Sequence, residues 1–215
     1  MSDRAVPVFL KPSKDRKIVV FGGGNVALRK CRQFAGFDIT VIADRTVPGI
    51  EDACDRVVIE HFDSSDLGRY LDGAFIAIAA TDSQSLNAEI AKTSLSAGVL
   101  TNSAHGGGDI LLPSSVRKRG YTVAVSSEGS VPAFPPIVAK DIDAFLGEEY
   151  DLMLDLLIKI RQDIKSVIST QPMRAKCLAE ILDNEDIWHN LKDGDTEGAE
   201  KAAFAIREKY SDIHE

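Results

Sequence analysis

Three consecutive glycines, Gly22, Gly23 and Gly24, stand directly after the apolar run Lys17 to Phe21 and directly before Asn25-Val26-Ala27. β-Branched residues dominate the run, which therefore reads as a strand, and Asn25 to Ala35 reads as a helix. Gly-x-Gly-x-x-Ala at a strand-to-helix turn is a dinucleotide-binding fingerprint. Gly22 would permit the tight turn, and Gly24 would let the backbone approach a pyrophosphate beside the helix start at Asn25 and Val26. Ala27 would allow close helix-strand packing. Asp44 lies twenty residues past Gly24, where such sites carry the acid that accepts from ribose hydroxyls. A carboxylate there repels a 2′-phosphate, so the expected cofactor is NAD, with NADP left open by the adjacent Arg45.

These residues need a parallel sheet to position them. Asp38 to Ile42, Arg56 to Phe62, Ala74 to Ala80 and Gly98 to Thr101 read as further strands. Between the last two, Ser83 to Ala97 reads as a helix that carries Leu86, Ile90 and Leu95, capped by Asp82 or Ser83. Right-handed crossovers then give a doubly wound α/β fold of Rossmann type. After residue 105 the pattern changes. His105-Gly106-Gly107-Gly108-Asp109 reads as a flexible connector, and Ile110 to Arg117 with Tyr121 to Ser127 as a hairpin about Arg119-Gly120. Pro135 and Pro136 open a helix that Gly147 stops. Leu152, Leu156, Leu157, Ile160, Ile164, Val167 and Ile168 stripe one face of a helix from Asp151 to Ser169, and because the tail has little core of its own, a second copy of the chain is expected to cover that face. The expected divisions are a dinucleotide domain at 1–105, a hairpin and helix region at 106–147, and a helical tail at 148–215.

Composition narrows the class of partner. A hydrophobic share of 44% and a charged share of 27% suit a folded soluble chain, and no segment approaches the ~20 apolar residues of a membrane span. The apolar run from Val6 to Leu10 is too short for a secretory signal, so cytoplasmic residence is expected. Cys31, Cys54 and Cys177 are odd in number and far apart, which suggests neither disulfides nor a Cys-rich metal site. A net charge of −8 opposes general attraction to nucleic acid or anionic lipid, and the expected partners are small molecules.

The longer pattern resembles the precorrin-2 dehydrogenase family, which includes the corresponding part of siroheme synthases. The resemblance runs from Val6-Pro7-Val8-Phe9-Leu10 through Gly22-Gly23-Gly24-Asn25-Val26-Ala27-Leu28-Arg29-Lys30 to Ala79-Ala80-Thr81-Asp82 and Asn102. It continues in Leu112-Pro113-Ser114, Arg119-Gly120 and Val123-Ala124-Val125-Ser126-Ser127-Glu128-Gly129, so that residues 6 to 147 are covered. It implies NAD-dependent oxidation of precorrin-2 to sirohydrochlorin, a helical dimerisation region making a homodimer, and a tetrapyrrole cleft between two domains. Thr81 and Asn102 join the expected cofactor-binding residues on this ground. The substrate's acetate and propionate groups would require cations, for which Arg117, Lys118, Arg119 and Lys140 are the candidates, with Ser127 beside them.

Two departures from the family pattern bear on the chemistry. The family's Asn-x-Val-Asp, whose Asp is the expected acid/base, is here Asn102-Ser103-Ala104-His105, followed by Asp109. Histidine does proton chemistry near neutral pH, so His105 is expected in the catalytic place with Asp109 as helper, a gapped alignment placing Asp109 there instead. The family's Ser-Pro-x-Leu-Ala-Arg is here Val131-Pro132-Ala133-Phe134-Pro135-Pro136, without the Arg, and iron insertion into the product is expected to be weak. His61 and His189 read as surface or core-edge residues and His214 as terminal. Competing readings are an NAD-binding regulatory domain and an oxidoreductase acting on an unrelated small substrate.

Overall fold

The computed structural model describes residues 4–211, and His214 lies outside them. The chain divides into two compact units that meet at Leu112 and Pro113. The expected first boundary at 105 falls short of this because the glycine connector returns to the sheet. The Ile110 N–H donates to the Thr101 carbonyl at 3.0 Å, and Ile110 and Leu112 pack on the first unit's core.

The first unit is a five-stranded, wholly parallel sheet in the order β3-β2-β1-β4-β5. Its strands are β1 (Lys17–Phe21), β2 (Asp38–Ala43), β3 (Arg56–Ile59), β4 (Ala74–Ala79) and β5 (Leu100–Ser103). Strand alternation feeds two cores. Ile18 and Val20 of β1 with Ile76 and Ile78 of β4 pack beneath α1 (Asn25–Gln33), which contributes Ala27, Leu28 and Cys31. Val19, Phe21, Ala77 and Ala79 point to the other face, under α2 (Leu67–Leu71) and α3 (Gln84–Ser96). α3 is capped by Ser83, whose hydroxyl accepts from the Leu86 N–H at 3.2 Å. Its buried face is Asn87, Ile90, Ala91 and Ser94, so the expected stripe through Leu95 is rotated and Leu95 is exposed.

In the second unit β6 (Ser114–Arg117) and β7 (Thr122–Val125) form the antiparallel hairpin, against which α4 (Phe134–Phe145) packs. Gly147 does not close α4 in a left-handed turn. It has φ −72° and is the N-cap of the next helix, α5 (Glu148–Val167). The sequence reading expected a helical tail to residue 215 but delimited only α5 within it, and α6 (Gln171–Leu182), α7 (Glu185–Lys192) and α8 (Thr196–Ser211) fill the rest. Met153, Leu156, Ile160 and Ile164 of α5 are buried with Cys177, Ile181, Ile187, Leu191, Ala199, Ala203 and Ile206. The tail thus has a core of its own, and the α5 stripe is satisfied within one chain. Arg207 to Asp163 at 2.5 Å and Lys209 to Glu180 at 2.9 Å tie its surface, as does Lys159 to Glu200.

Candidate dinucleotide site and its neighbouring loop

The glycine turn lies at the carboxyl end of β1, where the strand order reverses between β1 and β4, the place at which parallel sheets take ligands. Gly22 adopts φ +112°, and a Cβ on it would stand 2.3 Å from the Ala80 carbonyl oxygen. Gly23 fits as closely against the Arg45 carbonyl, 2.1 Å from where its Cβ would be, and its own carbonyl accepts from the Val47 N–H at 2.8 Å. Gly24 is different. Nothing lies within 4 Å of where its Cβ would be, and as N-cap of α1 it offers no side-chain acceptor to the helix's first amides. No acid stands in that first turn. Unclaimed N–H groups of Asn25 and Val26 beneath an open glycine are what a pyrophosphate fits. Ala27 is fully buried, as the close packing of α1 on the sheet requires.

Asp44 follows β2 on the same side of the turn and is exposed. One of its oxygens, Oδ1, lies 3.1 Å from Nδ1 of His61, which the sequence reading had set aside as a surface residue. Thr81 and Asn102 carry committed side chains. Thr81 Oγ1 donates to Asn87 Oδ1 at 2.8 Å. Asn102, 6% exposed, accepts from the Lys30 ammonium at 2.6 Å and donates to the Ile110 carbonyl at 2.9 Å. Burial, with Arg29 beside it, lowers the Lys30 pKa to about 8. Asn102 therefore fastens α1 and the returning loop to β5, and both it and Thr81 shape the site from beneath.

The loop after β5 carries the expected acid/base residues. Asp109 does not turn toward His105, because its Oδ1 accepts from the Thr101 N–H at 2.6 Å and closes the loop. Gly108 makes that return possible, since a Cβ there would lie 2.3 Å from the Thr101 carbonyl oxygen. His105 is exposed, and its Nδ1 lies 2.8 Å from Nδ2 of Asn87. Asn87 is fully buried and went unnoticed in the sequence. Its one signal is an amide at the position of α3 that shares a face with Ile90, Ala91 and Ser94.

Of the expected substrate cations, Lys118 is bound to Asp143 at 2.7 Å and Arg119 to Asp155 at 2.7 Å, and the Arg119 N–H also donates to Asp151. They hold the hairpin tip to α4 and α5. Arg117 and Lys140 have no ion pair among the described residues, and both are exposed. Ser127 donates to the Val131 carbonyl at 3.0 Å and so shapes the turn beyond β7. A cavity of about 320 Å³ lined by Lys14, Arg32, Cys54 and Asp55 sits at the amino end of β2, remote from the glycine turn. Among the described residues no three His, Cys, Asp or Glu side chains gather as a metal site would need, and no helix is long and apolar enough to cross a membrane.

Comparison with known proteins agrees with this architecture. Residues 8–114 match an NAD(P)-binding family model. A precorrin-2 dehydrogenase of Methanosarcina barkeri is 29% identical over 203 residues, covering 91% of this chain and 90% of that protein. The siroheme synthase of Chromobacterium violaceum is also 29% identical, over 94% of this chain but 43% of its own length. That of Photobacterium profundum is 28% identical over 83% of this chain and 39% of its own length. The solved structure of SirC, a precorrin-2 dehydrogenase, superposes with a TM-score of 0.71 at 22% identity, covering 96% of this chain and 100% of that one, and shares the fold. Matched along nearly all of one such relative and along less than half of the siroheme synthases, this chain is similar to precorrin-2 dehydrogenases and to the corresponding part of siroheme synthases.

Proposed function

We propose that the chain oxidises precorrin-2 to sirohydrochlorin, passing a hydride to NAD⁺ and a proton to water. The observation that carries this reading is the open Gly24 turn beneath the first amides of α1, in a chain similar along nine-tenths of its length to a precorrin-2 dehydrogenase. NAD⁺ when bound supplies the hydride acceptor. The protein's part is to hold the two reactants. Asn25 and Val26 N–H groups take the pyrophosphate, Asp44 accepts from the adenosine ribose, and Arg45 flanks it. Arg117 and Lys140 are the cations left to answer the substrate's carboxylates, because Lys118 and Arg119 are paired with Asp143 of α4 and Asp155 of α5.

A homodimer belongs to the same reading, although its basis differs from the α5 stripe. Apolar surface is open on α4, where Phe134 is 56% and Ile137 61% exposed, near Val131. Three free cysteines suit a reducing compartment such as the cytoplasm. The deciding experiment is an anaerobic assay with precorrin-2 and NAD⁺, followed by sirohydrochlorin absorbance. NADH and sirohydrochlorin should appear in equal amounts, and no NADH above the enzyme-free control would overturn the proposal.

A further inference from the structure

Asn87 makes four hydrogen bonds, and three of them fix which end of its amide is which. Oδ1 faces two donors of Thr81, the main-chain N–H at 3.0 Å and the Oγ1 hydroxyl at 2.8 Å. Nδ2 faces the Thr81 carbonyl oxygen at 3.0 Å. Exchanging the two ends would set N–H against N–H and oxygen against oxygen, in a residue with no solvent exposure to relieve it. The second hydrogen on Nδ2 then has one direction left, toward His105 Nδ1 at 2.8 Å. That nitrogen must present its lone pair, so in the neutral imidazole the proton sits on Nε2. The loop holds the ring there: the His105 N–H bonds to Ser103 Oγ, and the Ala104 N–H donates to the Ala79 carbonyl at the end of β4.

We infer that Asn87 is a positioning residue that locks His105 in its Nε2–H form, so that His105 meets the substrate as a hydrogen-bond donor to a carboxylate oxygen and not as the proton acceptor of the dehydrogenation. A base acting through Nε2 would need a lone pair there, and hence a proton on Nδ1 pointing at the Asn87 amide hydrogen. The substrate assignment rests on the dehydrogenase reading, but the tautomer does not. Thr81 belongs to the same cluster and abuts the Gly22 turn through Ala80, so the one buried amide ties the donor loop to the dinucleotide turn.

Histidine side-chain ¹⁵N spectra of the full chain test the lock directly, with the His105 signals assigned by their loss in His105→Gln. Wild type should show Nδ1 unprotonated and Nε2 protonated, and the reverse pattern overturns the inference. Asn87→Asp replaces the donor by an acceptor of equal size and should move the proton to Nδ1, whereas an unmoved proton counts against the lock. Should that variant fail to fold, turnover separates the two roles. His105→Ala should raise KM for precorrin-2 by roughly tenfold to a hundredfold, the worth of a hydrogen bond to a charged group. His105→Gln, which restores a donor without a basic nitrogen, should recover most of that loss. A kcat as low in Gln as in Ala would show that His105 is the base. If wild type does not turn over precorrin-2, the dehydrogenase reading fails while the spectra still decide the tautomer.

Discussion

A methyl group at Gly22 would meet the Ala80 carbonyl at 2.3 Å on a backbone at φ +112°, whereas one at Gly24 would meet no protein atom within 4 Å. Gly22→Ala is therefore expected to lower the thermal midpoint, as a strained left-handed position with a backbone clash must. Gly24→Ala should leave that midpoint within a few degrees and instead weaken NAD⁺ by about tenfold or more, because its methyl group occupies the pyrophosphate's place. Calorimetry beside nucleotide titration checks both, and equal effects on stability would contradict the division of labour. Asp44→Ala should cost NAD⁺ about tenfold and narrow its preference over NADP⁺, read by the same titration. Lys30 makes a different prediction. The folded chain releases this proton near pH 8 and the unfolded chain near 10.5, so between those values the unfolded state binds more protons and raising the pH stabilises the fold. Denaturant midpoints from pH 7 to 9 should rise more in wild type than in Lys30→Met. The glycines and Asp44 were legible because the motif places them by spacing alone. Asn87, His61 and Lys30 were not, since their partners lie 18, 17 and 72 residues away in sequence and only the packed sheet brings them together.

Short continuous apolar runs revealed all five strands of the sheet, because a parallel strand covered on both faces must be apolar throughout. The separate helices after α5 could not be delimited within the expected helical tail, for the opposite reason. α7 and α8 are charged sequences whose buried residues, Ile187, Leu191, Ala199, Ala203 and Ile206, are few and partly small, so their periodicity is weak until a core is there to receive them. The apolar stripe on α5 was read correctly as a buried face, but the surface that buries it was sought in a second chain. Ile160, without solvent exposure among α6 to α8, measures that burial. Ile160→Ala should destabilise the tail by about 2–5 kcal/mol, seen as an earlier loss of helical circular dichroism in urea. A shift below 1 kcal/mol would mean the tail repacks around the gap.

For the molecule as a whole, Phe134 and Ile137 on α4 are the test of assembly. Light scattering should give twice the chain mass, and Phe134→Asp with Ile137→Asp should give the single mass with helical content retained. A monomeric wild type at micromolar concentration would leave those residues to another partner. The order of strands in the sheet has a further consequence, for the route by which the chain reaches its fold. Ile18 must find Ile76, and Ile76 must find Leu100, before either core closes, so no neighbouring pair in that unit forms from a short loop. The tail helices, in contrast, succeed one another through short turns and each nucleates locally. Loop closure over long separations is slow and helix formation is fast. A chain diluted from denaturant should accordingly regain most of its ellipticity early and its affinity for NAD⁺ late, and during that interval the unpaired edges of the parallel strands are what a chaperone would have to shield.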